Sequence, residues 1–599
     1  MRVRRLPFLL VLFTASALAA PVPDWVRESD ALAQPMLRIT AQFLPEGAAR
    51  LGVEGVDDKV IDLGPGYSER RRAATEAVIK DLEAKLPGTK DPRVRQDIQI
   101  LIDAGRRQND VSKLEDALLL PFLVPARTAF GGIFSLLDPR IPKDRQAAAL
   151  VRLRRYAGKE PGSTPLTELA RARTVEQLGN GKLLGPFKPE VEQALADSKR
   201  LVAGIGDLFK KSGLSGYEQP LAKLGEQMDA YDSWVKAEIL PRSRTDSRLP
   251  PELYAVYLRT FGVNAPPEEV LRRALVNFAE LRNEMNALAP LVAGAQNLPA
   301  GGDYRSVLRA LKKKQLTNAS LMPLYSKRLA TLEEIARRER VVTLPARKAV
   351  IRLASEAESA MQPAPHMNPP RLIGNTGEYG EFVLPLATPG APGQKDLRTD
   401  DFTFDAATWT LTVHEARPGH ELQFSRMIEQ GVSIARGIFA QNSANVEGWA
   451  LYAESEMSPY LPLEGQLVYL QFRMLRAARA FLDPMVNLGQ ISPDEARRVL
   501  TEDVVLSDGM AKQEVDRYTF RAPGQATSYF FGYQSMLATR QRAELALGGR
   551  LDRQRFNDFV LGQGMLPPDL LLRAVMDEFV PAEKVRAAAT RPAATKTPN

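Results

Sequence analysis

Three histidines serve the whole 599-residue chain, and two of them fall close together in His414-Glu415-Ala416-Arg417-Pro418-Gly419-His420. A histidine followed directly by a glutamate, with a second histidine one turn on, is the pattern by which two imidazoles hold zinc while the carboxylate serves as general base. Here the second histidine stands at i+6 rather than i+4. On an unbroken helix the two would be rotated by roughly 600° and separated by about 9 Å along the axis, so they could not share one ion. Pro418 and Gly419 lie between them. Proline removes a backbone donor and glycine allows unusual dihedrals, so a break is expected here that swings His420 back toward His414. The bland alternative is two unrelated histidines near a helix end.

A third ligand must come from elsewhere. The run Asn445 to Glu454 (NVEGWALYAE) has helical character, and Glu447 and Glu454, seven apart, share a face. A carboxylate from this second helix would complete a His₂Glu site and leave a fourth position for water. Two glutamates on a solvated face are the competing reading, which Trp449, Leu451 and Tyr452 argue against.

The elements that must position these groups are mostly helical. Segments of helical period cover Glu69–Leu86, Asp91–Leu118, Lys188–Phe209, Tyr217–Leu240 and Glu268–Leu288. The last opens on Pro266-Pro267, carries Glu268 and Glu269 at the positive end of its dipole, and shows a stripe of Leu271, Leu275, Phe278, Leu281 and Met285. Thr403–Val413, just before the first histidine, reads as a buried helix. Strand signals are few: Val341–Leu344, and Glu381–Leu386, where Pro385 predicts an edge strand. Met361–Leu397 is rich in proline and glycine and reads as a long irregular connection. Residues 1–20 are expected to be a signal peptide, 21–245 a helical N-terminal region, 246–586 a catalytic region, and 587–599 a disordered tail. The boundary rests on the polar, proline-ended stretch Arg242–Pro251, across which the two regions could still share a core.

Charge and cysteine content exclude whole classes. The net charge is +8, but three of the positives lie in the first five residues and four in the last sixteen, leaving a body of 73 cations against 72 anions. A neutral body argues against a nucleic-acid binder. The chain has no cysteine, which excludes disulfides, thiolate metal sites, cysteine nucleophiles and a lipidated N-terminal cysteine. Basic Met1–Arg5, apolar Leu6–Leu18 and the small-x-small Ala17-Leu18-Ala19 read as a secretory signal, predicting an exported protein, periplasmic or extracellular, with no stable membrane insertion after cleavage.

Three ordered motifs carry a resemblance: HEARPGHELQ (His414–Gln423), VEGWALYAE (Val446–Glu454) and VDRYTFRAPGQATSYFFG (Val515–Gly532). Together they resemble the bacterial family known as the domain of unknown function numbered 885, whose hallmark is HExxPGH followed by EGWALYAE and PGQALSY. Weaker likeness extends back through Leu249–Val270. The resemblance implies a mainly α fold: a large helical zincin-like metallopeptidase body of the glutamate-ligand kind, with a few short strands near the active site. It implies one zinc per chain on His414, His420 and Glu447, Glu415 as catalytic base, and Tyr529 as a catalytic hydroxyl beside the site. Arg517, Tyr518 and Glu454 are further candidates for substrate contact. The chain departs from the pattern at Glu421, where relatives carry a histidine, and in Gly377–Gly390, where they have a PGxFYVN-like strand. An edge strand there could pair with an extended peptide. The expected function is an exported zinc peptidase acting on peptide substrates. The alternatives are a non-catalytic helical binding protein derived from such an enzyme, or a metal hydrolase of non-peptide amides or esters.

Overall fold

The computed structural model describes residues 23–299, 302–355, 358, 359, 362, 365–375, 377, 378, 380–385 and 400–589. The expected signal peptide and the tail beyond residue 589 lie outside this set, as do residues 386–399 of the proline- and glycine-rich connection. Ala587–Ala589, the start of the expected tail, continue the last helix, Val580–Ala589.

The chain is mainly α, as its periodicity predicts. Helices occupy Tyr67–Lys85, Pro92–Leu118, Lys188–Ser212, Glu218–Trp234 and Pro267–Ala295, matching the five periodic segments. In the last of these the buried face is Val270, Ala274, Phe278, Leu281 and Met285, while Leu275 is 43% exposed. Phe278, Leu281 and Met285 are thus buried as predicted, and only the first turns differ, with Val270 and Ala274 buried in place of Leu271 and Leu275. This face packs on helix Leu463–Asn487, with Phe278 and Phe481 meeting edge to face at 5.3 Å. Such a pair contributes about 0.5–1.5 kcal/mol beyond its buried area.

Among the described residues, three short strands form one sheet in the order β1-β3-β2, with β1 Val350–Leu353, β2 His366–Asn368 and β3 Glu381–Leu384. β1 runs parallel to β3 and β2 antiparallel to it. Two expectations need correction. Val341–Leu344 forms no strand: Val341 and Val342 are buried in the core, and the Thr343 amide donates to Asp558 Oδ1 at 2.9 Å instead of to a neighbouring strand. Glu381–Leu384 is the central strand, not an edge, because it ends one residue before Pro385, which is thus never asked to donate to a ladder. Both of its sides are occupied, so it offers no free edge to a peptide.

The core crosses the boundary placed near residue 245. Ala33, Ile79, Ile98 and Leu101 belong to one cluster with Trp409, Trp449, Tyr452 and Tyr529. A second cluster, including Phe130, Leu153 and Phe209, is confined to the N-terminal region, and a third runs from Leu249 to Phe530.

Candidate metal centre

The helix predicted before the first histidine spans Asp405–Leu411 and passes into a wide π-helical turn, Thr412–Ala416, buried throughout from Ala406. Such turns insert a residue into the helical ladder and are frequent at functional sites. The turn ends at Arg417, which is extended, and a new helix, His420–Gln430, begins after Gly419. The Pro-Gly break thus acts as the spacing demanded. His414 and His420 stand with ring centroids 4.6 Å apart and planes at 81°. Gly419 is required by close approach: a Cβ there would lie 2.0 Å from the His414 carbonyl oxygen and 2.3 Å from that of Val413. Backbone cannot yield as a flexible side chain can.

Helix Ser443–Met457 brings the carboxylates. The Asn442 side chain caps it by accepting from the Asn445 amide at 2.8 Å, a contact whose loss costs about 1 kcal/mol. Trp449 Nε1 donates to the Pro418 carbonyl at 3.0 Å and fastens this helix to the break. On its other side the helix meets Thr527–Leu547 at glycine contacts: a Cβ on Gly532 would lie 1.9 Å from the Ala444 carbonyl oxygen, and one on Gly448 would lie 2.7 Å from the Gly532 backbone. This close approach brings together the helices that carry Glu447 and Tyr529.

The result is a convergent set. His414 Nε2 and His420 Nε2 each stand 3.4 Å from Glu447 Oε2, and one ligand atom from each of the three residues falls within 4.8 Å of the others. Donors about 2.0–2.1 Å from a tetrahedral zinc would stand about 3.3 Å apart, so the spacing fits that ion. Glu447 Oε2 is buried and takes no hydrogen bond of normal geometry among the described residues, an oxygen left for a cation. Burial disfavours the charged form of both groups here, yet the two imidazoles hold the Glu447 carboxyl well below its ordinary range, and Glu447, Glu454 and Glu415 together lift His414 to about 9. An incoming metal would displace that proton.

Glu454, the other candidate third ligand, lies behind His414 rather than on the cavity wall. It is 1% exposed, and its Oε1 faces His414 Nδ1 at 2.6 Å and accepts from Arg476 Nη2 at 3.2 Å. A carboxylate on the far nitrogen fixes the tautomer and direction of a metal-binding imidazole. Substrate contact is therefore not the role its position suits.

Glu415 Oε1 stands 4.0 Å from His414 Nε2, outside the ligand group, and faces a cavity of about 290 Å³. His414, His420, Glu447, Arg517 and Tyr529 line the same cavity. Burial, with the Glu447 charge beside it, raises the Tyr529 hydroxyl above its ordinary pKa, so it keeps its proton. Arg517 Nη1 approaches that hydroxyl at 3.4 Å. Tyr518 does not reach the cavity; it is fully buried and donates to Glu514 Oε2 at 3.0 Å. Burial raises the Glu514 carboxyl, but Arg479, Arg517 and Tyr518 bring it down to about 2.

Among the cavity residues not singled out by sequence are His366, Arg476 and Arg479. His366 enters from β2, and Arg476 and Arg479 from helix Leu463–Asn487. The arginines did leave a signal: Arg473, Arg476 and Arg479 repeat every third residue in an otherwise apolar run, and buried guanidinium groups there need partners. Glu421, in place of a histidine, is fully buried and faces away from the metal group. It accepts from Arg417 and, at 2.6 Å, from Ser425 Oγ, while Arg417 also donates to Glu333 at 2.7 Å. Glu421 thereby anchors the residue that precedes the Pro-Gly break.

The family described as "Bacterial protein of unknown function (DUF885)" matches residues 45–575. The chain belongs to that family. No curated protein matches it. Solved structures that share its fold include the two that follow. One, described as "the putative lipoprotein from Colwellia psychrerythraea", is 18% identical with a TM-score of 0.75, covering 94% of this chain and 100% of the other. The second, "a putative lipoprotein of unknown function from Shewanella oneidensis", is 19% identical with a TM-score of 0.69, covering 93% and 100%. Among the described residues, no helix is long and apolar enough to cross a membrane.

Proposed function

We propose that this DUF885 member is an exported zinc-dependent peptidase. The observation that carries the reading is the meeting of His414, His420 and Glu447 around one point, with Glu415 beside them on the wall of a cavity. Zinc held there would supply Lewis acidity, polarising a scissile carbonyl and making water acidic enough to lose a proton near neutrality. Glu415 would take the proton of the attacking water and pass it to the departing amine as the C–N bond breaks. Tyr529, kept protonated by its surroundings, would donate its O–H to the developing oxyanion. Glu454 would hold His414 in the tautomer that leaves Nε2 free.

The test is hydrolysis of a mixed peptide pool by purified protein, with and without chelator. Cleavage that stops on chelation and returns with zinc is expected. A zinc-loaded protein that cuts esters or non-peptide amides but no peptide would overturn the substrate assignment.

Export is proposed from the basic, apolar and small-x-small N-terminal segments, and agrees with the word "lipoprotein" in the descriptions of both structural relatives. The intact mass of secreted or periplasmic protein should place the mature N-terminus at or near Ala20 or Pro21. A mass that retains Arg2–Arg5 would point to an uncleaved anchor instead.

A further inference from the structure

The wall of the cavity carries charges of both signs. Glu447 and the two imidazoles form the metal group with Glu415 beside it, while Asp401, Arg476, Arg479 and Arg517 line the cavity as well. Two carboxylates, Glu454 and Glu514, serve these three guanidinium groups. Arg479 is satisfied, with two bonds to Glu514 at 2.7 and 2.8 Å. Arg517 is held loosely, with Glu514, Gln525 and Tyr529 all at 3.4 Å. Arg476 gives one nitrogen to Glu454, which is also engaged by His414; its Nε and Nη1 are buried with no acceptor among the described residues. Burying guanidinium donors without acceptors is costly, and the planar fork of arginine matches a carboxylate.

We infer that Arg476 and Arg517 form a subsite for the C-terminal carboxylate of a short peptide, so that cleavage proceeds from the carboxyl end of the substrate. This rests on the peptidase reading. The arginines and the metal group line one cavity of about 290 Å³, so an anion gripped by the arginines would stand near the scissile bond. Phe424, Phe472, Leu475, Leu506 and Met510 add apolar wall beside the polar Gln362, Asp401 and Gln441.

Two measurements test this. The first compares N-acetylated apolar tripeptides as free acids, as C-terminal amides, and as amides ending in aspartate. The free acids should be cut at least about tenfold faster in kcat/KM than the amides, with the difference in KM, because a site built for a polar group rejects the analogue lacking it. Arg476→Gln and Arg517→Gln should each bring the ratio toward one, with zinc content kept in Arg517→Gln. If Arg476 served only to orient Glu454, both substrates would slow equally and the ratio would stand, which would overturn its place in the subsite. Amides ending in aspartate cut as fast as the free acids would replace the C-terminal assignment with an acidic side chain. The second measurement is calorimetry on chelated protein with 4-phenylbutanoate and its amide, neither of which has a peptide bond to cut. The acid should bind at least about tenfold tighter, and Arg517→Gln should abolish the preference. Equal binding of acid and amide sinks the subsite even if peptides are hydrolysed. A preference for the acid without any hydrolysis keeps the subsite and rejects the peptidase reading.

Discussion

Glu415→Gln is expected to keep its zinc and lose roughly 10²–10⁴-fold of its turnover, the span that a positioned acid–base group contributes. The substitution keeps the size and shape of the side chain but removes its ability to accept a proton from water. Glu415 lies on the cavity wall with its Oε1 4.0 Å from His414 Nε2, while the three proposed ligands converge without it. Bound zinc and peptide hydrolysis, measured on the same preparation, check this. Loss of zinc in Glu415→Gln with zinc kept in Glu447→Ala would reverse the two roles. Full zinc and full activity in both variants would place the site elsewhere in the chain.

The second large effect concerns metal affinity and its order among the carboxylates. Glu447→Ala removes the oxygen on which both imidazoles converge, and should weaken zinc binding by more than about 100-fold. Glu454→Gln leaves all three ligands but replaces the carboxylate 2.6 Å from His414 Nδ1. Partners in that outer position are typically worth about 10–100-fold in affinity, so this variant should fall between wild type and Glu447→Ala. Competition with a chromogenic chelator reads all three proteins. A Glu454→Gln protein that binds zinc more weakly than Glu447→Ala would make Glu454 the ligand and Glu447 its support.

The helical body was legible because amphipathic periodicity is a local property, and each of the five long periodic segments folds as a helix. On Pro267–Ala295 Phe278, Leu281 and Met285 were read rightly, and the stripe went astray only at its start, because Ala274 carries little hydrophobic signal yet is fully buried. Strands were harder to read. β1 and β2 hold four and three residues, too short for alternation to show, and the order that makes Glu381–Leu384 central depends on partners distant in sequence. At the site, the wide histidine spacing with Pro418-Gly419 between was readable from helix geometry alone. The division of labour between Glu447 and Glu454 was not, since seven residues put both on one face and only the packing of two helices decides which reaches the cavity. His366 left no signal, because its place on the wall is set by a sheet formed far from His414 in sequence.

Metal content of the purified protein bears most directly on the central claim. Wild type should carry about one zinc per chain, the ratio of a single three-ligand site, and His414→Ala should carry none at the same yield and helical content. Wild-type protein that is metal-free after careful purification, and takes up no zinc on titration, would contradict it.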